Sequence, residues 1–374
     1  MNSRQRVLAV FNHERPDRVP CWCGASEEFW AKAKRQLDVD DEALRKRFRD
    51  DFRRVYGRYA GPEFALSEGA KSRTVFGVER QGIGWGQPVN HPLAGASLAD
   101  VHQYAWPHPD WIDVASIKAD ADAFGGQYAI LGGDWSPFWH DVIELLGMEN
   151  LFVQMYTKPE LVHTVFRYVV AYYIAVNERV FEAAGDSIDV FFLGNDFGTQ
   201  EGPLIGPDLF DKFVLPHLSR LIDLGHAYNL KVQLHCCGGF AELIPSMIDC
   251  GLDALHAIQP TCRGMDLRVL KQKYGSRIVM NGAIDSQHQL MEGTPASVRE
   301  HTREVLDILM PGGGYVAGAS HDTILEETPL PNVLAMFDAI KDFGCYPPEI
   351  PRRIRTVPRR KSRERTSPFA LEEE

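Results

Sequence analysis

The chain has 374 residues and a mass of 42.1 kDa, with 44% hydrophobic and 24% charged residues, which supplies a large buried core and excludes a disordered chain. Forty Lys and Arg stand against 51 Asp and Glu, a net charge of −11 that repels nucleic acid and anionic lipid and leaves small molecules or proteins as partners. Seven scattered Cys, and no apolar run near the ~20 residues that span a bilayer, argue against a disulfide-framed secreted module and a membrane protein, so the expected compartment is the cytoplasm.

Asn2 caps an amphipathic run from Ser3 to Phe11 that Pro16 and Pro20 stop, and Arg18 to Trp22 is predicted as a strand. Glu27 to about Tyr59 alternates charge with Phe29, Trp30, Leu37, Leu44, Phe48 and Phe52, a pattern of amphipathic helices. Thr74 to Val89, with four Gly, predicts irregular strands or a hairpin. Residues 1 to about 110 thus form an N-terminal elaboration.

After Tyr128 short apolar runs alternate with long amphipathic stretches. The runs are Tyr128–Leu131, Ile188–Leu193, Lys231–Leu234, Ala254–Ile258, Ile278–Met280 and Tyr315–Ala317; the helices between and after them are Glu160–Ala184, Pro207–Leu230, Phe240–Asp249, Met265–Tyr274, Pro295–Leu309 and Leu330–Asp342. Repeated strand and helix predict a parallel sheet covered by helices. An open doubly wound sheet loses ground because no G-x-G-x-x-G follows the first strand. The expectation is a (β/α)8 TIM-type barrel in a single domain of residues 1–349, with a charged tail at 350–374. That tail carries eight Arg or Lys against four Glu, so the body is more acidic than the whole chain.

Polar residues sit at the ends of the apolar runs, where a barrel gathers its βα loops into one mouth. In Leu234-His235-Cys236-Cys237-Gly238-Gly239, strand alternation sends His235 and Cys237 to one side and Cys236 to the other. An imidazole and a thiol so placed can chelate Zn2+, although two ligands alone do not make a site, and the thiols also read as small core residues. His321 follows another strand and is the candidate third ligand, leaving the open fourth position of a catalytic zinc. Glu326 and Glu327 read as the acidic first turn of the last helix.

Asp196, in Gly194-Asn195-Asp196-Phe197-Gly198-Thr199-Gln200, is a candidate general base or a partner that orients a ligand imidazole, with a capping role as its plain structural reading. Asn281 and Asp285 carry the same ambiguity, and with Asp196 and His321 they complete the candidate catalytic set. Trp135 and Trp139 read as core or as an aromatic wall for a flat ligand. With Trp22, Gln200 and His256 they are the candidate substrate-binding residues.

These residues together resemble the uroporphyrinogen decarboxylase superfamily, and within it the corrinoid-dependent methyltransferase branch. The resemblance runs from Arg4-Gln5-Arg6-Val7-Leu8 and Asp17-Arg18-Val19-Pro20, through Asp196 to Gln200, His235-Cys236-Cys237-Gly238, Asn281-Gly282 and Asp285, to Thr328-Pro329-Leu330-Pro331-Asn332-Val333. It implies a barrel with its active site at the C-terminal mouth and a homodimer. Decarboxylases of the family carry M-R-Q-A-G-R-Y after the first strand to hold many carboxylates; here Cys21 to Glu28 has no Arg and two acids, which argues against a polycarboxylate substrate.

The methyltransferases resemble this chain better, with H-x-C-G binding zinc together with a later Cys, in whose region this chain has His321. The resemblance implies a zinc-dependent methyltransferase or demethylase acting between a small molecule and a corrinoid. An N, S, N ligand set would make zinc a stronger Lewis acid, suited to an alcohol, a phenol ether or another oxygen substrate. No D-x-H-x-x-G cobalamin signature is present, so the corrinoid would arrive free or on a carrier protein. The rival readings are a metal-free decarboxylase or lyase of a small acid using Asp196 and His321, and a non-catalytic binding barrel.

Overall fold

Seven short, mostly apolar segments become parallel strands in the order of the chain: β1 Phe52–Arg54, β2 Ala129–Gly132, β3 Val190–Gly194, β4 Lys231–His235, β5 Ala254–Ile258, β6 Val279–Ile284 and β7 Tyr315–Ala319. Each pairs in parallel with the next, and helices such as Pro159–Ala184, Leu215–Ala227, Pro295–Leu309 and Leu330–Phe343 cover the outside. The structure, a computed structural model, describes residues 1–82 and 86–347; the tail expected at 350–374 lies outside them.

The sheet is a curled half-barrel of seven strands, which corrects the expected closed eight-stranded barrel. The eighth place belongs to the segment around Cys21, which meets β7 through a bridge to Ala317 and the start of β1 through a bridge to Asp50. Trp22 N–H donates to the Ala317 carbonyl and Ala317 N–H to the Pro20 carbonyl, both at 2.9 Å. Pro20 has no N–H to continue the ladder, so the strand expected at Arg18–Trp22 shrinks to single bridges. β1 is the second correction, because Phe52–Arg54 lies inside the stretch expected to be helical. Helices Glu27–Leu37 and Asp41–Arg47 end first, and a strand of three residues is too short to show its period. The Gly-rich early segment does form strands, three short antiparallel ones at Ser72–Arg73, Glu79–Gln81 and Gln87–Pro88.

Strand alternation divides the core in two. Phe52, Leu131, Val190, Phe192, Ala254, Val279 and Val316 point inward and pack with Val7, Val10 and Phe11 of the first helix, Ser3–Phe11. That helix closes the N-terminal end of the half-barrel: Arg4 N–H donates to the Gln127 carbonyl and its side chain pairs with Asp189 at 2.8 Å, both just ahead of strands. Above this apolar layer the inward positions turn polar. His235 of β4, His256 of β5 and Asn281 of β6 stand in one row of the register, facing the C-terminal end. The opposite alternation, with Phe191, Leu193, Leu234 and Leu255, packs on the helices.

Among the described residues no helix is long and apolar enough to cross a membrane.

Candidate functional site

The loop after β3 and the loop after β4 meet at the C-terminal end of the half-barrel. Asp196 Oδ1 accepts the Cys237 backbone N–H at 2.7 Å and lies 3.4 Å from His235 Nε2. Cys237 Sγ is 3.3 Å from the same nitrogen. The ligand atoms of Asp196, His235 and Cys237 all lie within 4.8 Å of one another, the reach of one metal ion. Local backbone holds them there. Gly238 adopts φ +89°, and a Cβ on it would meet the Gly198 backbone at 2.5 Å, so only glycine lets the two loops close. Cys236 faces the other way into the outer core, as alternation demands.

Charge in this group is uneven. Burial works against ionisation of Asp196, but His140 at 3.6 Å and His235 at 3.4 Å outweigh it and hold the carboxyl well below its usual range. Burial, followed by the negative charge of Asp196, pushes the Cys237 thiol upward. Asp196 is thus a fixed carboxylate beside a thiol held protonated, and a cation joining them would remove the penalty on the thiolate.

A second row runs inward from the same imidazole. His235 Nδ1 lies 3.2 Å from His256 Nδ1, and His256 Nε2 faces Asp322 Oδ1 at 3.8 Å. His235, His256 and Asp322 form another potential ligand group within 4.8 Å. Burial, then the proximity of His235, keeps His256 well below the usual histidine range, so it is neutral. Among the described residues His256 Nε2 and Asp322 Oδ1 have no hydrogen-bond partner. The backbone is unusual here too: Ala257 has φ +66° and the register slips between His256 and Ile258, a bulge that re-aims the strand end.

Some of the other candidates lie beside this centre and some do not. Trp135 lies against His235 at 5.1 Å, and Trp22 against His256 at 5.0 Å. Gly194 makes room for Trp135, since a Cβ would sit 2.0 Å from its ring. His321 has its ring centre 6.2 Å from that of His235, with Nδ1 3.1 Å from the Thr323 carbonyl and backbone N–H, and it belongs to neither ligand group. Asn281, in the row of His235 and His256, donates to Gln233 one row below at 3.2 Å. Asp285 instead caps the turn Ser286–Met291 by accepting from Gln287 and His288. Trp139 is fully buried and stacked on Phe166 in the outer core, with no face open to a ligand. Gln200 is exposed beyond the rim.

Sequence reasoning passed over two residues. Asp322 stood beside the better-known ligand type, His321. Arg54 was hidden in the misread stretch, although Phe52-Arg53-Arg54 alternates inward, outward, inward.

A half-barrel of parallel strands with His, Cys and Asp gathered at its C-terminal end defines an α/β protein with a candidate metal-binding cluster. The chain belongs to the uroporphyrinogen decarboxylase (URO-D) family, whose model matches residues 94–343. Within it the likeness is to methylcobamide methyltransferases rather than to uroporphyrinogen decarboxylase itself. A methylcobamide:CoM methyltransferase of Methanosarcina acetivorans is 23% identical over 232 residues, 61% of this chain and 62% of that protein. A methylated-thiol–coenzyme M methyltransferase of Methanosarcina mazei is 24% identical over 310 residues, 76% of this chain and 77% of that protein. The fold matches that of a solved methyltransferase from Methanosarcina mazei with a TM-score of 0.63, at 20% identity, covering 92% of this chain and 99% of the other.

Proposed function

We propose that this chain is a zinc-dependent methyltransferase or demethylase, moving a methyl group between a small molecule and a corrinoid that arrives free or on a carrier protein. The observation that carries the metal is the cluster of His235 Nε2, Cys237 Sγ and the Asp196 carboxylate within 4.8 Å. The donor set of nitrogen, sulfur and oxygen fits zinc. The names of the relatives support the methyl chemistry.

Zinc, when bound, supplies Lewis acidity that draws a substrate heteroatom toward its anionic, nucleophilic form. Asp196 is already ionised, so it acts as ligand or proton acceptor and not as proton donor. With His235 Nε2 given to the metal, its remaining proton sits on Nδ1 and is donated to His256 Nδ1. His256 then carries its own proton on Nε2, facing Asp322. The two acceptors thereby fix which His235 nitrogen is free. His321, expected from the sequence as the third ligand, borders the cluster and is proposed to face the substrate, while Trp135 and Trp22 pack against His235 and His256.

Metal analysis tests this reading. The purified full chain, reconstituted with zinc and desalted, is expected to hold one equivalent, and Cys237→Ala or His235→Ala to hold none. A wild-type chain that retains no zinc, or a Cys237→Ala chain that retains as much, overturns it.

A further inference from the structure

The chain between β1 and β2 builds a second cavity, of about 670 Å³. Strand Arg58–Tyr59 pairs with Ile112–Asp113 there, and Tyr59, Phe64, Leu66, Val75, Ile112 and Pro137 supply apolar walls. None of Asp196, His235, Cys237, His256 and Asp322 lines it, and neither does Arg54, whose guanidinium lies over Trp135 and Phe192. Helix Phe138–Leu146 separates the two places: His140 faces Asp196, whereas Asp141, about 100° further round the helix, lines the cavity.

Asp141 is only 4% exposed, and its carboxyl has one hydrogen-bond partner among the described residues, the Tyr173 hydroxyl at 2.5 Å; Tyr173 lines the cavity as well. The buried Asp50, Asp51 and Asp189 each hold an arginine, and Asp141 holds none. Burial, joined by Glu144 and opposed by the Tyr173 bond, pushes the Asp141 carboxyl up to about 7. In its acid form a carboxyl both donates and accepts, as an amide does. The charges around it are matched in sign. Arg80 is held by Glu144 at 2.7 Å, and Arg73 lies over the Phe64 ring at 4.8 Å with Glu63 on the same lining. An ammonium group would meet the two arginines, and a carboxylate would meet Glu63 and Asp141. Exposed Tyr59 and Leu66 give the apolar wall a side open to solvent.

We propose that this cavity is a second small-molecule site, taking an uncharged aromatic compound whose hydroxyl or amide group bonds to Asp141 while its ring lies along Tyr59, Phe64 and Val75. Apolar walls with a single buried hydrogen-bonding group are the usual make-up of such a site. The inference goes beyond the function proposed above and does not depend on the metal cluster.

The test is calorimetry on the zinc-free full chain at pH 7, with phenol and benzamide as uncharged probes and benzylamine and benzoate as their charged counterparts. Phenol and benzamide are expected to bind saturably and about ten-fold or more tighter than either ion. Asp141→Leu should weaken them by about ten-fold or more, whereas Asp141→Asn, which still accepts from Tyr173 and donates to the ligand, should retain them. Thermal unfolding coincident with wild type establishes that each variant is folded. Crystals of the wild-type chain soaked in 4-iodophenol give a reading that needs no variant: the iodine is expected in this cavity. No saturable binding of phenol or benzamide, equal binding of either ion, unchanged affinity in Asp141→Leu, or iodine only at other places such as beside His235 and Cys237 overturns the proposal.

Discussion

His235 owes its usefulness to its neighbours. The row from His235 through His256 to Asp322 links a prospective ligand to a carboxylate by way of a second imidazole. Partners of this kind set the tautomer and basicity of a ligating histidine and are commonly worth 10–100-fold in metal affinity. His256→Phe, which keeps the ring contacts with Trp22 and Phe192, is therefore expected to weaken zinc binding by about ten-fold or more in chelator competition, with stoichiometry still one. Unchanged affinity would remove the row from the mechanism. His217 is a separate matter of stability. Burial, followed by Arg220, lowers it from 6.5 to about 4, and it stacks on Phe166. It is neutral in the fold, so its contribution is complete above the unfolded value of 6.5 and is lost as pH falls through about 4. That is about 3 kcal/mol over the window. Urea unfolding of His217→Phe should show a correspondingly shallower decline between pH 6.5 and 4.

At the level of elements, the gap between the sheet edges is held by a buried carboxylate. Asp51 accepts from Arg6 at 2.9 Å, from Arg18 at 2.8 Å and from the Cys21 N–H at 2.8 Å, tying the first helix and the bridging segment to β1. Asp51→Ala leaves the poorly exposed Arg18 guanidinium without a carboxylate and Arg6 with Asp17 alone, and should cost about 3–5 kcal/mol in denaturant unfolding. Overpacking gives a finer probe. Gly194→Ala forces Trp135 from its place beside Gly194, and a cost of about 1–3 kcal/mol is expected, together with a changed tryptophan emission. Six of the seven strands fall within or across runs that are evident from apolar content, because strands buried on both faces read as continuous hydrophobic segments. β7 was legible in its first half and extends to Ala319 through small residues. β1 was not legible: three residues between charged neighbours carry no readable period, and Arg54 was lost with it.

For the molecule as a whole, the sequence exposed the meeting of His235 and Cys237 at one mouth, since the end of β4 and the Gly-rich turn after it carry them two residues apart on one side. It did not expose closure. Whether a sheet closes depends on the partners of its edge strands, and here one edge contact is made by a segment containing Pro20, whose pairing is set by Cys21 and Asp51 in three dimensions. The place of Asp196 in the cluster was hidden for the same reason: it reaches His235 and Cys237 because its loop pairs with the loop after β4, a contact between residues about forty apart. His321 lies beside the cluster, its ring centre 6.2 Å from that of His235. Apolar rings of Trp22, Trp135 and Phe192 pack on one another beside the polar cluster, an arrangement in which electrostatic effects are stronger than in open water.

The most direct test of methyl transfer at this cluster is anaerobic and spectroscopic: methylcobalamin is mixed with the zinc-loaded chain and a panel of small thiols, alcohols and phenols, and its demethylation is followed by absorbance. Demethylation that requires an acceptor and zinc, with methylated acceptor formed in equal amount, and at least a hundred-fold loss in Cys237→Ala, is the result expected. Demethylation at the same rate in wild type, zinc-free protein and Cys237→Ala would contradict it.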